Sequence, residues 1–420
     1  MRIEHKYVFR WQQCAEDFET RFPDRRDLQS FKMGDEDLPL QERFSAMFKA
    51  IELRAAHIDE VMTAYQESPL TLHALAEAIG TDLVSCLLSL ALDENCRVRA
   101  CLDNEARHRR FVEIAECTQS LILSPASLGT LLALGIETEV FEWSWTIQLT
   151  HSTRELLMAF IRRHTDPRQM GTFGKVAGNY FFEDRDAEQA KVLAERAQTL
   201  IDRSEVIPTL PLAQMDNDQR TTIVQLHGQG GAEALAATID NDAIAWGDDA
   251  IYAFTADHFG GQVAGAQSFI EAAVTRQAIT RERANELIAQ LLGLQYEITW
   301  FTPAVTRTAA RMAEFNPGKP PFSALMRLLG QDGRASSQII DMALTCIYDV
   351  AHNLELDVSR NTAITVILEA ISSRQNGALI IEQVQRAIPA RFGLSAIRGS
   401  EARRIIRDFV SSHETRRIGQ

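Results

Sequence analysis

Apolar residues recur along this chain with two different periods. From Glu42 a helical spacing begins with Phe44, Met47, Phe48 and Ile51 and continues through Ile58, Val61, Met62 and Tyr65, the stripe of a single helix face. Ser68-Pro69 then reads as a break, or as an N-cap followed by proline at the first helical position. The next piece, LTLHALAEAIGTDLVSCLLSLALD, has the cadence of two helices joined by a tight turn. Ala76, Gly80 and Cys86 fall where a helix-turn-helix places a small residue, a turn glycine and a small core residue, a spacing that any tight helical hairpin shares. The second helix, DLVSCLLSLA, carries no cluster of Arg, Asn or Gln to touch base edges. The pattern therefore favours a packing module over a DNA reader.

From Thr118 the character changes. Short apolar runs are expected as strands at Leu121 to Leu123, Thr146 to Leu149, Val206 to Ile207, Ala243 to Trp246 and near Gln262 and Val263, with helical patterns between them. Strands alternating with helices predict a parallel sheet covered on both faces. Ligands of such sheets bind at the carboxyl ends of the strands. Between two of these units, HTDPRQMGTFGKVAGN is rich in glycine and polar residues and is expected to be a mobile loop beside that edge. KMGDEDLPLQE reads as a linker, and FNPGKPPFS marks a boundary near residue 316. The remainder, to about Ser412, reads as helical. The expected fold is α/β within a mostly α-helical chain, divided into a polar segment 1–42, a helical module 43–118, an α/β domain 119–305 and a helical module 306–420.

Composition narrows the class. The chain has 420 residues, 45% of them apolar and 24% charged, ordinary for a globular protein with a sizeable core. The N-terminus, MRIEHKYVFRWQQ, is charged, and no apolar run approaches the ~20 residues of a membrane span. Six cysteines lack CxxC spacing, which argues against a zinc ribbon and for reduced thiols in a cytoplasm. A net charge of −14 speaks against coating nucleic acid electrostatically. It leaves room for a nuclease, because an acidic site can sit beside a local basic patch. The patches Arg97 to Arg110 and Arg398 to Arg417 read first as solvated helix faces.

The stretch NDAIAWGDDAIYAFTADHFGG poses the main chemical question. Asp248 and Asp249 follow at once on a buried strand. Glu155 lies in the first turns of the helix after another strand, and Glu233 on the helix that leads into the Asp248 strand. In a parallel sheet these positions can converge on one edge. Two carboxylates ~4 Å apart repel by roughly 4 kcal/mol at an effective dielectric of ~20, so a cluster needs something to offset the repulsion. A divalent cation with hard oxygen ligands does so. Each acid also has a plainer reading: Asp is a preferred N-cap, and Glu in a first turn is favoured by the helix dipole. His151, one turn before Glu155, fits a capping or surface role.

With LILSPASLGTLLALG, QLTHSTRELLMAF and GAEALAATI…AIAWGDDAIYAFTADHFGG in this order, residues 119–305 resemble a divergent PIN domain, the family named for the PilT N-terminus. The resemblance implies a parallel sheet with acids at its strand ends and a metal-dependent nuclease acting on single-stranded RNA or DNA. It implies Mg²⁺ or Mn²⁺ as cofactor, with Glu155, Glu233, Asp248 and Asp249 as metal ligands. Of these, Glu155, Asp248 and Asp249 would be catalytic, and Arg154, Lys175 and Ser124 would face the substrate. It also implies a bacterial toxin or phage-defence setting. One position departs from the family: Ser124 stands where the first aspartate is expected, and neutral serine is a poor ligand for Mg²⁺. The alternative is a catalytically degenerate PIN-like scaffold that binds a protein partner, or a second copy, through its helical flanks. No P-loop, HExxH or GxSxG motif offers other chemistry, and no membrane partner is expected.

Overall fold

The computed structural model describes residues 45–418 apart from 94–95, 101–104, 167–170, 177–178, 185, 209, 241–242, 298–301 and 333–334. The expected N-terminal segment 1–42 lies outside the described residues. The chain divides into two compact units. One runs to Val61 and includes Met170–Arg185; the other holds Met62–Gln169 and Asp186–Gln420.

In the first unit, α1 begins at Ser45 and continues to Glu67, its last turns belonging to the second unit. Within the stretch expected to be a mobile loop, Gly171–Val176 instead form β3, which pairs antiparallel with β4 (Asn179–Asp184) in register at Phe173 and Phe182; residues 167–170 and 177–178 of that stretch lie outside the described residues. The glycines hide the alternation of TFGKV against NYFFED. Paired backbone groups satisfy one another there, which a loop would leave to water.

The second unit starts with a helical hairpin, α2 (Leu72–Ile79) and α3 (Leu83–Leu92). Thr71 caps α2, Gly80 ends it at φ 72°, and Asp82 caps α3. Leu72, Leu75, Val84 and Leu87 are all buried. The hairpin is thus a packing module, joined closely to the sheet and its helices. After α4 (Glu105–Cys117) comes the sheet: β1 (Ser120–Leu123), α5 (Pro125–Leu134), β2 (Thr146–Thr150), α6 (His151–Thr165), α7 (Ala187–Arg203), β5 (Glu205–Ile207), α8 (Leu210–Gln214), α9 (Asn217–Asp240), β6 (Ala243–Trp246), α10 (Ala250–Phe259), β7 (Val263–Ala264) and α11 (Ala266–Thr275). α3 lies close on α5, where a Cβ on Gly129 would come within 3.0 Å of the Leu87 side chain.

All five strands of this sheet run parallel in the order β5-β2-β1-β6-β7. Leu121 pairs with Ile147 on one side and Ile244 on the other, so β1 is central and its apolar residues are buried on both faces, as parallel sheets require. Trp246 stacks between Trp143 and Phe269 at the heart of this core.

The remaining helices are α12 (Arg281–Gly293), α13 (Pro303–Met312), α14 (Phe322–Gly330), α15 (Ser336–Asn353), α16 (Asp357–Ser372), α17 (Gly377–Phe392) and α18 (Ala396–Ile418). The chain is therefore mostly helical with one small, wholly parallel five-stranded sheet. Among the described residues no single helix is long and apolar enough to cross a membrane.

Candidate functional site

Because β1, β2 and β6 run parallel, they end on one edge, and α5, α6 and α10 start directly from it. The N-termini of helices carry unpaired N–H groups and the positive end of the helix dipole. What satisfies those groups defines the chemistry of the edge.

Ser124 and Thr150 satisfy two of these starts with hydroxyls. Ser124 accepts from the Ser127 N–H at 3.4 Å, and Thr150 from the Thr153 N–H at 3.3 Å. The acids satisfy the rest. Glu233 Oε2 accepts the Ser152 N–H at 3.1 Å; its Oε1 accepts the Ser152 hydroxyl at 2.7 Å and the Gln229 amide at 2.9 Å. Asp248 Oδ1 accepts the Ala266 N–H at 2.7 Å, the start of α11. Its Oδ2 accepts Thr130 Oγ1–H at 2.6 Å and the Trp246 indole N–H at 2.7 Å. Asp249 Oδ1 caps α10 through the N–H groups of Ile251 and Tyr252, at 2.8 and 3.3 Å. Its Oδ2 accepts the Leu72 N–H at 2.8 Å, across 177 positions of sequence. Three carboxylates thus hold the starts of α2, α6, α10 and α11.

Burial sets the electrostatics. Asp248 is 0% exposed, and loss of water pushes its carboxyl up to about 6 against three hydrogen bonds that pull it down. Asp249 is raised for the same reason, opposed by its backbone donors and by the charge of Arg99. His227, buried on α9, is held neutral: burial, and then the neighbouring His73, lower it to about 3. Its Nε2 meets Thr255 Oγ1 at 2.9 Å.

A kink completes the edge. α9 breaks at Gly228, φ 70° and ψ 170°, a conformation that side chains exclude. Thr71 donates its hydroxyl to Leu226 O at 2.7 Å. The His73 ring fills the space above Gly228, where a Cβ would lie 2.8 Å from it.

The expected site residues fall into two groups. Ser124 and Asp249 line one cavity with His73 and Leu83 of the α2–α3 hairpin, while Glu233 turns to the start of α6 and Asp248 to the start of α11. Glu155 stands apart: its side chain is 66% exposed and pairs with His151 at 3.3 Å along the outside of α6. Glu155 and Asp248 follow strands that end on the same edge, but the Glu155 side chain is two-thirds exposed and Asp248 is 0% exposed. Arg154 is half-buried on α6. Lys175 lies on β3, in the other compact unit.

In this arrangement the three buried acids are engaged as hydrogen-bond acceptors for the fold. Both oxygens of Glu233, Asp248 and Asp249 already accept protein hydrogen bonds. The cavity that Ser124 and Asp249 line together with His73, His227 and Tyr252 is about 20 Å³, room for about one water. Among the described residues no three His, Cys, Asp or Glu side chains form a group able to hold a metal ion. A neighbouring opening of about 230 Å³, lined by His73, Ser152, His227 and Gln229, is roomier but turns no unused carboxylate oxygen of these three acids inward.

Thr130, His227, Gly228 and Trp246 belong to the site and escape a motif-based reading. Their only signals in the sequence are the HGQGG run inside a helical pattern and a tryptophan two residues before the aspartate pair. No family model, curated protein or solved structure matches the chain.

Proposed function

We propose that this chain is a protein-interaction module on a PIN-like scaffold, and that its acid cluster serves the fold. The observation that carries this reading is the occupancy of both oxygens of Glu233, Asp248 and Asp249 by helix-start N–H groups and side-chain donors. The PIN likeness draws support from the parallel strand order, with a central first strand flanked by the second and by the strand that precedes the aspartate pair. Ser124 in place of an aspartate agrees with a scaffold role.

A second reading, a metal-dependent nuclease acting on single-stranded RNA or DNA, is favoured by one observation. Ser124, Glu233, Asp248 and Asp249 gather at the carboxyl edge of the sheet, where ligands of open α/β sheets bind.

One experiment separates the two. Labelled single-stranded RNA and DNA are incubated with the protein in Mg²⁺ or Mn²⁺, and melting is followed with and without metal. On the scaffold reading the wild type shows no chelator-sensitive cleavage and no metal-linked rise in Tm. Chelator-sensitive cleavage by the wild type, accompanied by a metal-linked rise in Tm, would overturn it.

A further inference from the structure

We propose that the opening between the α2–α3 hairpin, the start of α6 and the kink in α9 binds a small organic cation through its N–H groups, an alkylammonium or a guanidinium. This goes beyond the scaffold reading and does not rest on it. The opening is about 230 Å³. That is room for several waters, yet it falls short of the ~300 Å³ at which sites for drug-sized ligands begin, so its occupant is small.

His227 supplies the observation that points to a ligand. It is 4% exposed, and it lines both this opening and the smaller cavity beside Asp249. The hydrogen bonds around it fix its tautomer. Thr255 donates its one hydroxyl proton to Ile251 O at 2.9 Å, so toward His227 Nε2, also at 2.9 Å, it is the acceptor. Nε2 therefore carries the proton, and Nδ1 is left with a lone pair. Among the described residues no donor meets Nδ1, and it is not one of the polar atoms sealed inside the protein without a partner. Burial, and then His73, keep the ring neutral, so the lone pair persists. A buried acceptor without a donor is costly, and a ligand N–H removes that cost.

The rest of the wall selects the class of occupant. Gln229 Nε2 and the Ser152 hydroxyl both donate to Glu233 Oε1, at 2.9 and 2.7 Å. Those bonds leave Gln229 Oε1 and a lone pair of Ser152 Oγ as further acceptors. Glu77 adds a carboxylate whose approach to His73 Nε2, at 3.8 Å, is too long for a hydrogen bond. No Lys or Arg lines the opening among the described residues. An anion would seek the N–H groups at the start of α6, but Glu233 already accepts the Ser152 N–H at 3.1 Å. Acceptors and negative charge without a resident cation favour a positively charged N–H donor, whose hydrogen bonds are charge-assisted.

The test is titration calorimetry of the full chain with butylamine and butylguanidine, and with butanol and butyrate as neutral and anionic counterparts of the same length. We expect both cations to bind at least tenfold more tightly than butanol or butyrate. His227→Gln keeps a side-chain N–H for Thr255 and removes the Nδ1 acceptor, so it should weaken cation binding about tenfold. Glu77→Gln removes a charge at an exposed position and should weaken it about threefold; it decides the matter if His227→Gln folds poorly by far-UV circular dichroism. Glu355→Gln, exposed and outside the opening, should bind like wild type. Cations that bind no better than butanol would overturn the proposal, as would unaltered binding in His227→Gln and Glu77→Gln. Zn²⁺ bound more tightly than either cation, and lost in His227→Gln, would assign the opening to a metal and overturn it too.

Discussion

Asp248 shows how one side chain answers to two demands. Its three donors make it costly to replace, although the change to asparagine is nearly isosteric. Asparagine turns an NH₂ group toward the Trp246 indole N–H and Thr130, or toward the Ala266 N–H, and buries two donors against each other. We expect Asp248→Asn to lose about 2–3 kcal/mol of stability by urea unfolding. The pH dependence has a defined sign. A carboxyl raised from 3.8 to about 6 penalises the fold above pH 6, and the penalty lifts as pH falls toward 3.8. His227 acts the other way. Its pKa of about 3 against 6.5 means that the unfolded chain takes up a proton the folded chain refuses, so stability drains away as pH falls from 6.5 toward 3. The two trends oppose each other between pH 6 and 3.8. His227→Gln removes one of them. Relative to wild type, the variant should gain about 2 kcal/mol between pH 7 and pH 5. A difference that stays flat over that range would show that His227 is not held neutral.

At the scale of elements, the kink in α9 is the least tolerant point. Gly228→Ala forces a Cβ into a conformation reserved for glycine and against the His73 ring. We expect a loss of more than about 2 kcal/mol. Gly80→Ala is the milder case: its φ is also positive, but at φ 72° and ψ 39° it lies in the left-handed helical region, and nothing lies within 4 Å of the added carbon, so about 1 kcal/mol should be lost. Equal losses would mean that neither the extended ψ of Gly228 nor its contact with His73 carries weight. Arg276 is a second joint. It donates to the carbonyls of Ala115, Glu116, Thr118 and Ser144 and lies over Trp145 at 4.7 Å, tying the end of α4 to the loop before β2. Lysine cannot reach four carbonyls from one head. Arg276→Lys should lower stability by about 2 kcal/mol in the same unfolding assay, and an unchanged midpoint would remove that role.

Elements are also where the sequence is most readable. The strand expected at Ala243 to Trp246 has those same limits, and the others agree to within a residue or two, because short apolar runs bounded by turn residues have few alternatives. The hairpin β3–β4 is hidden by glycine, which removes the side chains that show alternation. The site is legible in its residue types but not in its partners. Asp249 meets Leu72 across 177 positions, and no local pattern announces such a pairing. Position after a strand groups Glu155 with the cluster, yet its helical phase argues against it. Thr153, Leu157 and Phe160 form the buried face of α6, which leaves Glu155 outside.

For the whole molecule, the boundary between helical module and sheet has a thermodynamic meaning. The α2–α3 hairpin and the sheet lie within one compact unit, joined by Leu72 to Asp249, by Thr71 to Leu226 and by Leu87 over Gly129. A chain beginning at residue 119 would expose that buried face and leave Asp249 without its outer donor. We expect it to be insoluble or molten, with lost near-UV circular dichroism, although its sheet residues are all present. In the full chain, tryptophan fluorescence from Trp143, Trp145 and Trp246 and helical signal at 222 nm should fall together over this unit. Separate midpoints would show that the hairpin comes away first.

The anchoring of helix starts by Glu233, Asp248 and Asp249 bears on how such genes change with time. In a mutational library screened only for soluble protein, with no demand for chemistry, these three positions should reject nearly every substitution. Glu155, two-thirds exposed, should accept most of them. Selection for folding alone would then keep three acids and erode a fourth, so that a retained carboxylate pattern need not be a record of chemistry.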